Sequence, residues 1–105
     1  MDDHFEKYYL KAVFYLKFRQ RSVKEMRDYL QKKKTPENII QGVIARLEEE
    51  RFLNDREFVK SWIESRARFR PKGKRIIELE LRQKGIAKEL IDEVMQEKTA
   101  EDIPD

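Results

Sequence analysis

Six basic side chains and no acidic one fall within the segment from Arg66 to Arg75. They are Arg66, Arg68, Arg70, Lys72, Lys74 and Arg75, and Phe69 lies in the middle of them. Arginine forks pair with phosphate or carboxylate oxygens, and an exposed aromatic ring stacks on a nucleic-acid base. The segment therefore fits contact with nucleic acid or docking on an acidic protein surface. The structural alternative is that Phe69 packs in the core and the basic side chains only keep the protein soluble. We predict that this segment is the main electrostatic contact of the chain.

A second basic region, from Lys17 to Lys34, holds eight basic and two acidic residues. Its candidate contact residues are Arg19, Arg21 and Lys24. The run from Lys32 to Lys34 is a weaker candidate, because the helix dipole alone favours cations at a helix carboxyl end. Residues 37–57 carry a net charge of −3 and residues 88–105 a net charge of −5. Blocks of opposite sign indicate an oriented encounter with a charged partner, although solvated helix faces would look the same.

Catalytic and metal-binding residues have no candidate in this sequence. It contains no cysteine and one histidine, His4, so neither a thiolate site nor a histidine metal site is expected. The three glycines are isolated, which excludes a glycine-rich phosphate loop. No serine has an evident base beside it. We therefore expect a binding protein that is not an enzyme and needs no cofactor.

The composition favours a small helical protein with large solvated faces. Charged residues make up 43% of the 105 residues, and the mean hydropathy is −0.89. The six Phe, four Tyr and one Trp fall at helical spacings, which argues against disorder. No apolar run approaches the ~18 residues of a membrane span. The first residues are acidic and lack the apolar stretch of a signal peptide, so a cytoplasmic location is expected.

Apolar residues at helical spacing predict six helices and no strand. The first runs from His4 to Phe18, the second begins at Ser22, the third runs from Pro36 to Glu50, the fourth follows Asn54, the fifth runs from about Lys74 to Lys84, and the sixth begins at about Ala87.

The ends of these helices carry recognisable signals. Ser22 and Glu25 form a capping box, and Thr35 is predicted to cap the third helix. Gly85 suits the left-handed position that ends the fifth helix. Residues 99–105 are expected to be frayed. The apolar side chains expected to face inward on the fifth helix are Ile76, Ile77 and Leu81, and Trp62 on the fourth is also interpreted as core.

The chain also matches itself when it is shifted by about half its length, 51 residues. The shift places Met26 on Ile77, Leu30 on Leu81, Lys33 on Lys84, Ile40 on Ile91 and Val43 on Val94. We expect an all-α fold of two tandem three-helix repeats, of the helix–turn–helix type. The predicted division is residues 1–53, residues 54–97, and an acidic, disordered tail over residues 98–105.

An ordered set of short motifs resembles the RecX family. The motifs are Arg21-Ser22 with Glu25 and Leu30; Phe52-Leu53-Asn54-Asp55 with Phe58; Ser65-Arg66 with Gly73, Arg75 and Ile76; and Leu81-Arg82-Gln83-Lys84-Gly85-Ile86. No single motif is specific, but the ordered set at family spacing is. The resemblance covers residues 12–95 and implies tandem three-helix repeats.

The resemblance implies a regulator that binds the RecA recombinase, lies in the groove of its filament on single-stranded DNA, and limits filament growth, ATP hydrolysis and strand exchange. It carries over through the matching positions Arg66, Gly73, Arg75, Arg82 and Lys84. Most family members hold a third repeat, whereas this sequence holds two. The residue before the aromatic of the loop, usually small, is Arg51 here.

Two other readings remain open. One is a stand-alone nucleic-acid-binding module, with Asn38, Gln41 and Arg46 on a recognition helix, although that helix is net acidic. The other is a purely structural adaptor. Single- or double-stranded DNA is a possible further partner through the basic patches. We expect a monomer, with dimerisation possible through exposed Val94 and Met95.

Overall fold

The computed structural model describes residues 3–69 and 73–102, and that part of the chain contains helices and no strand. The six helices are α1 (Asp3–Leu16), α2 (Val23–Lys32), α3 (Glu37–Glu49), α4 (Asp55–Phe69), α5 (Lys74–Gln83) and α6 (Lys88–Asp102). The predicted all-α fold class is confirmed. None of the described helices is long and apolar enough to cross a membrane.

The chain divides into two compact units of three helices each, Met1–Asn54 and Asp55–Asp105. A shift of 51 residues places α2 on α5 residue for residue. The short middle helix therefore occupies the same place in both repeats.

In the first unit the core forms where α2 and α3 pack together with α1. Met26 and Leu30 of α2 are fully buried, as is Leu47 of α3. The predicted capping box starts α2: the Ser22 hydroxyl accepts the Glu25 backbone N–H at 3.1 Å, and the Ser22 N–H donates to the Glu25 carboxylate at 3.0 Å. Ser22 is itself fully buried, so its hydroxyl serves the helix end rather than a ligand.

The predicted cap of α3 is wrong. The residue before the helix is Pro36, whose carbonyl accepts the N–H groups of Ile39 and Ile40. Thr35 lies one residue too early, and its buried hydroxyl has no hydrogen-bond partner in the described part of the chain. The side chain instead packs into the unit, as Ile86 does at the equivalent position of the second repeat.

In the second unit the core is formed by α4, α5 and α6, and two sequence-based expectations fail there. Ile77 and Leu81 of α5 are buried, but Ile76 is 44% exposed. A short helix on a thin layer buries one row of side chains four residues apart, and Ile76 lies about 100° round the helix from Ile77. Val94, expected at an exposed apolar surface, is fully buried. It cannot support the predicted dimer contact.

Helix α6 continues beyond the point where the sequence predicts a frayed tail. It continues to Asp102, because the next residue that breaks a helix is Pro104. The Lys98 ammonium lies 2.7 Å from the Glu64 carboxylate of α4, which ties this part of the helix to its unit. Residues 103–105 lie outside the described residues.

Within residues 3–69 and 73–102, three residues hold left-handed backbone conformations where helices end. Gly85 has φ 83°, as predicted, and Lys34 at the equivalent position of the first repeat has φ 59°. Arg51, which follows α3, has φ 64°. A residue with a Cβ is strained there, which explains why a small residue suits position 51.

We predict that Lys34→Gly and Arg51→Gly each raise the free energy of unfolding by about 1 kcal/mol, because they relieve left-handed strain. Urea denaturation followed by circular dichroism measures the change. Gly85→Ala is the matched reverse control and should lower stability by a similar amount. A loss of stability in both glycine variants would show that these backbones are not strained.

Candidate binding surface of the second unit

The outer face of α5 combines apolar and basic side chains. Ile76 is 44% and Leu79 55% exposed, and Arg75 and Arg82 are exposed beside them. These positions share one face, since residues three, four and seven apart lie one above another on a helix. Neither arginine forms an ion pair with a residue that the structure describes. We call these four residues the α5 face.

The equivalent face of α2 in the first unit is polar, and its charged side chains pair with one another. Lys24, which matches Arg75, lies 2.7 Å from the Asp28 carboxylate. Asp28 matches Leu79 in the second repeat, and Glu25 matches Ile76. With two carboxylates replaced by apolar side chains, the arginines of α5 have no ion-pair partner among the described residues. Such a face suits an acidic partner surface, because arginine forks pair with carboxylates around an apolar centre.

Arg66, a predicted contact residue, is held within the second unit. Its Nε lies 2.9 Å from Glu80 Oε1 and a second guanidinium nitrogen lies 3.2 Å from Oε2. The guanidinium also lies over the Trp62 ring, 4.7 Å from its centroid. Arg66 therefore joins α4 to α5 and helps to position the α5 face from beneath.

Trp62, interpreted as core, is half-buried and serves this same cluster. Its ring stacks on Phe58 with centroids 5.7 Å apart, and its Nε1–H donates to Glu80 at 2.9 Å. Lys84, another predicted contact residue, also lies over the indole at 5.7 Å. The ring is thus used by the protein's own cations.

The remaining residues of the Arg66–Arg75 segment differ in their surroundings. Arg68 lines a shallow groove of about 190 Å³ with Ser61, Glu64 and Ser65. The hydrogen bond from Lys98 lowers the pKa of the Glu64 carboxyl. Lys74 is exposed at the start of α5. Arg70, Lys72 and the side chain of Phe69 lie outside the described residues.

The three candidates of the first unit all have internal contacts. Arg19 makes two hydrogen bonds to the Glu25 carboxylate, at 2.5 and 3.1 Å, and these raise the pKa of Arg19. Arg21 lies over the Tyr15 ring, 3.8 Å from its centroid. Lys24 has the Asp28 pair described above. Their role in partner contact stays a prediction.

One residue of the hypothetical recognition helix, Arg46, makes contacts within the first unit. Arg46 lies over the Tyr9 ring at 3.9 Å, and its Nε lies 3.3 Å from the Glu50 carboxylate. The same carboxylate accepts the Tyr9 hydroxyl at 2.5 Å, which together with burial raises the pKa of Tyr9. Asn38 and Gln41 are exposed on α3, but Arg46 is engaged elsewhere.

Sequence reasoning missed Leu79 and placed Ile76 on the wrong side of α5. A signal for both was present in the repeat. In α5, Ile76 and Leu79 occupy the two positions at which α2 has Glu25 and Asp28. A position that faced the core would have been apolar in both repeats.

Comparison with known proteins gives two family models that match in order along the chain. The first three-helix domain of RecX matches residues 9–47, and the second three-helix domain of RecX matches residues 54–95. The chain belongs to the RecX family. The first domain model falls within the first compact unit, and the second covers the second unit up to Met95 and begins one residue before it, at Asn54.

Relatives and solved structures agree with this assignment. The regulatory protein RecX of Bacillus velezensis is 39% identical over 93 residues, which are 89% of this chain and 35% of that protein. RecX of Bacillus subtilis is 36% identical over 100 residues, 95% of this chain and 38% of that protein. The crystal structure of RecX from Lactobacillus salivarius matches with a TM-score of 0.86 and 27% identity, over 90% of this chain and 62% of that one. The chain spans about a third of the length of the curated relatives it matches.

The different settings of Arg66 and Arg75 predict different effects on stability. Arg66→Ala should lower the free energy of unfolding by about 1–2 kcal/mol, because it removes the Arg66–Glu80 ion pair and uncovers Trp62. Arg75→Ala should change it by less than about 0.5 kcal/mol. Urea denaturation followed by circular dichroism compares the two. Equal losses would contradict the assignment of Arg66 to the internal cluster.

Proposed function

We propose that this chain acts as a RecX-type regulator: without catalysing a reaction, it binds the RecA recombinase filament and limits its growth, ATP hydrolysis and strand exchange. It would thereby modulate recombination, DNA repair and the SOS response in the cytoplasm. Membership of the RecX family supports the regulatory role, and relatives that match most of this chain are named regulatory protein RecX. The observation that carries the proposal is the α5 face.

The chemistry of the α5 face favours a protein partner over a nucleic-acid backbone. Ile76 and Leu79 gain free energy only when they are buried against other apolar groups, and a row of phosphates offers few of these. Arg75 and Arg82 flank them and would pair with carboxylates on the recombinase. An apolar centre with arginines at its edge is the arrangement in which a few residues supply most of the binding free energy.

The other basic residues of the second unit have a supporting role in this proposal. Arg68, Arg70, Lys72 and Lys74 precede or begin α5 in the sequence and add positive charge to this part of the chain. Such charges speed the encounter with an acidic partner and make it depend on ionic strength. They would also give weak contact with DNA in the filament. Arg66 and Lys84 act indirectly, through Trp62 and Glu80.

The test is the ATPase activity of RecA on single-stranded DNA, measured with and without the chain. We expect the chain to lower the rate of ATP hydrolysis. Two double variants, Ile76→Ser/Leu79→Ser and Arg75→Ala/Arg82→Ala, should each raise the concentration of chain needed for half-maximal inhibition by about tenfold or more. The matched control is Asp28→Ala/Gln31→Ala, which changes the positions of α2 equivalent to Leu79 and Arg82 and should leave inhibition unchanged.

No effect of the wild-type chain at a molar excess would overturn the proposal. Inhibition that survives both α5 double variants would place the contact elsewhere on the molecule. Sequence-specific protection of DNA at physiological salt would instead support the nucleic-acid-binding module, whereas weak, steeply salt-dependent binding is what the basic segment alone would give.

A further inference from the structure

Helix α1 and the turn after it present a row of large apolar side chains to solvent. The row consists of Leu10, Phe14 and Phe18, each more than half exposed, and we call it the α1 face. Leu10 and Phe14 lie on one face of α1, about 6 Å apart along its axis. Phe18 lies two residues beyond the helix and packs on Phe14 with ring centroids 5.3 Å apart. A monomeric protein rarely leaves such a row open without a use for it.

An apolar groove lies beside this row. It has a volume of about 220 Å³ and is lined by Val13, Leu16, Lys17 and Phe52. Phe52, in the loop after α3, is itself 54% exposed. The groove is large enough to admit a bulky apolar side chain, and its lining offers almost no polar group to a polar ligand.

Three lysines give the same surface a positive charge. From Lys7 to Lys17 the chain has three basic residues and no acidic one. Lys7, Lys11 and Lys17 lie around the row, and none of them forms an ion pair within the described part of the chain. Their ammonium groups lie near the aromatic rings of their own helix: Lys7 and Lys11 near Tyr8, and Lys17 near Phe14.

We propose that this α1 face is a docking surface for an acidic amphipathic helix of a partner protein. Such a helix offers apolar side chains at intervals of three, four and seven residues, which match the row and would fill the groove. Its carboxylates would pair with the three lysines, so that the surface is complementary in both shape and charge. The proposal concerns the first unit and does not depend on the role proposed for the α5 face.

Two other occupants fit less well. A nucleic-acid base needs a free ring face, but Phe14 and Phe18 meet edge to face with centroids 5.3 Å apart, and Lys17 lies over Phe14. A second copy bound through a two-fold axis would bring the same lysines opposite one another. Like charges facing each other are unfavourable, so a self-complementary dimer is disfavoured on this face.

The experiment uses the full chain and a fluorescein-labelled designed peptide, a helix with leucines on one face and glutamates elsewhere. Fluorescence anisotropy should show saturable binding, and a peptide of the same composition with scrambled order should not bind. Phe14→Ser/Phe18→Ser should weaken binding by about tenfold or more. Lys7→Gln/Lys11→Gln/Lys17→Gln should weaken it and flatten its dependence on salt.

The control is Gln31→Ser/Gln41→Ser, which changes exposed side chains elsewhere on the first unit and should leave peptide affinity unchanged. Circular dichroism checks that each variant is folded, and backbone amide shifts in NMR should move along α1 and around Phe52. No binding of the designed peptide, or binding that persists in Phe14→Ser/Phe18→Ser, would overturn the proposal. The proposal would also be overturned if Phe14→Ser/Phe18→Ser left peptide binding unaffected but abolished another kind of binding. The alternatives to measure are self-association, binding to anionic vesicles and binding to single-stranded DNA.

Discussion

The short middle helix of each unit is held by two buried side chains four residues apart, and the rest of the unit is arranged around them. Met26 and Leu30 hold α2, and Ile77 and Leu81 hold α5. Burial of each such side chain contributes about 1.5–3 kcal/mol. Because only this one row of side chains faces the core, most positions of each ten-residue helix lie outside the core. The outer face can therefore change between repeats without loss of the fold, and α5 has diverged from α2 in this way.

The two units also solve the contact between their first and third helices differently. In the first unit the Phe5 ring packs on Gly42, where a Cβ would lie only 2.9 Å from the ring. At the equivalent positions of the second unit, Arg56 pairs with Glu93 at 2.9 Å and also with Glu97. An aromatic contact in one repeat thus corresponds to an ion-pair cluster in the other. The first unit is the richer in aromatic side chains, and two of them, Phe14 and Phe18, are exposed.

Much of this architecture could be predicted from the sequence because the signals are local. Apolar periodicity gave the helices, Ser22 and Glu25 marked the start of α2, and Gly85 marked the end of α5. Two adjacent apolar residues are harder, since periodicity alone does not decide which of Ile76 and Ile77 faces inward. The shift between repeats holds the answer, because the residue that matches Ile76 is the charged Glu25.

The candidate site was less predictable, because its side chains meet partners that are distant in sequence. Glu80 follows Arg66 by 14 residues, and only the packing of α4 on α5 brings them together. A count of basic residues treats Arg66 and Arg75 alike, although one is half-buried in an ion pair and the other is exposed. Composition located the charged region, and tertiary structure separated the residues that support the surface from those that form it.

The central proposal is that this chain meets the recombinase filament through the α5 face. The most direct measurement is hydroxyl-radical footprinting of side chains, read by mass spectrometry, with RecA filaments on single-stranded DNA and with the DNA alone. The account predicts that oxidation of Ile76 and Leu79 falls when filaments are present and does not fall with DNA alone. Oxidation of both residues at the free-protein rate in the presence of saturating filament would contradict it.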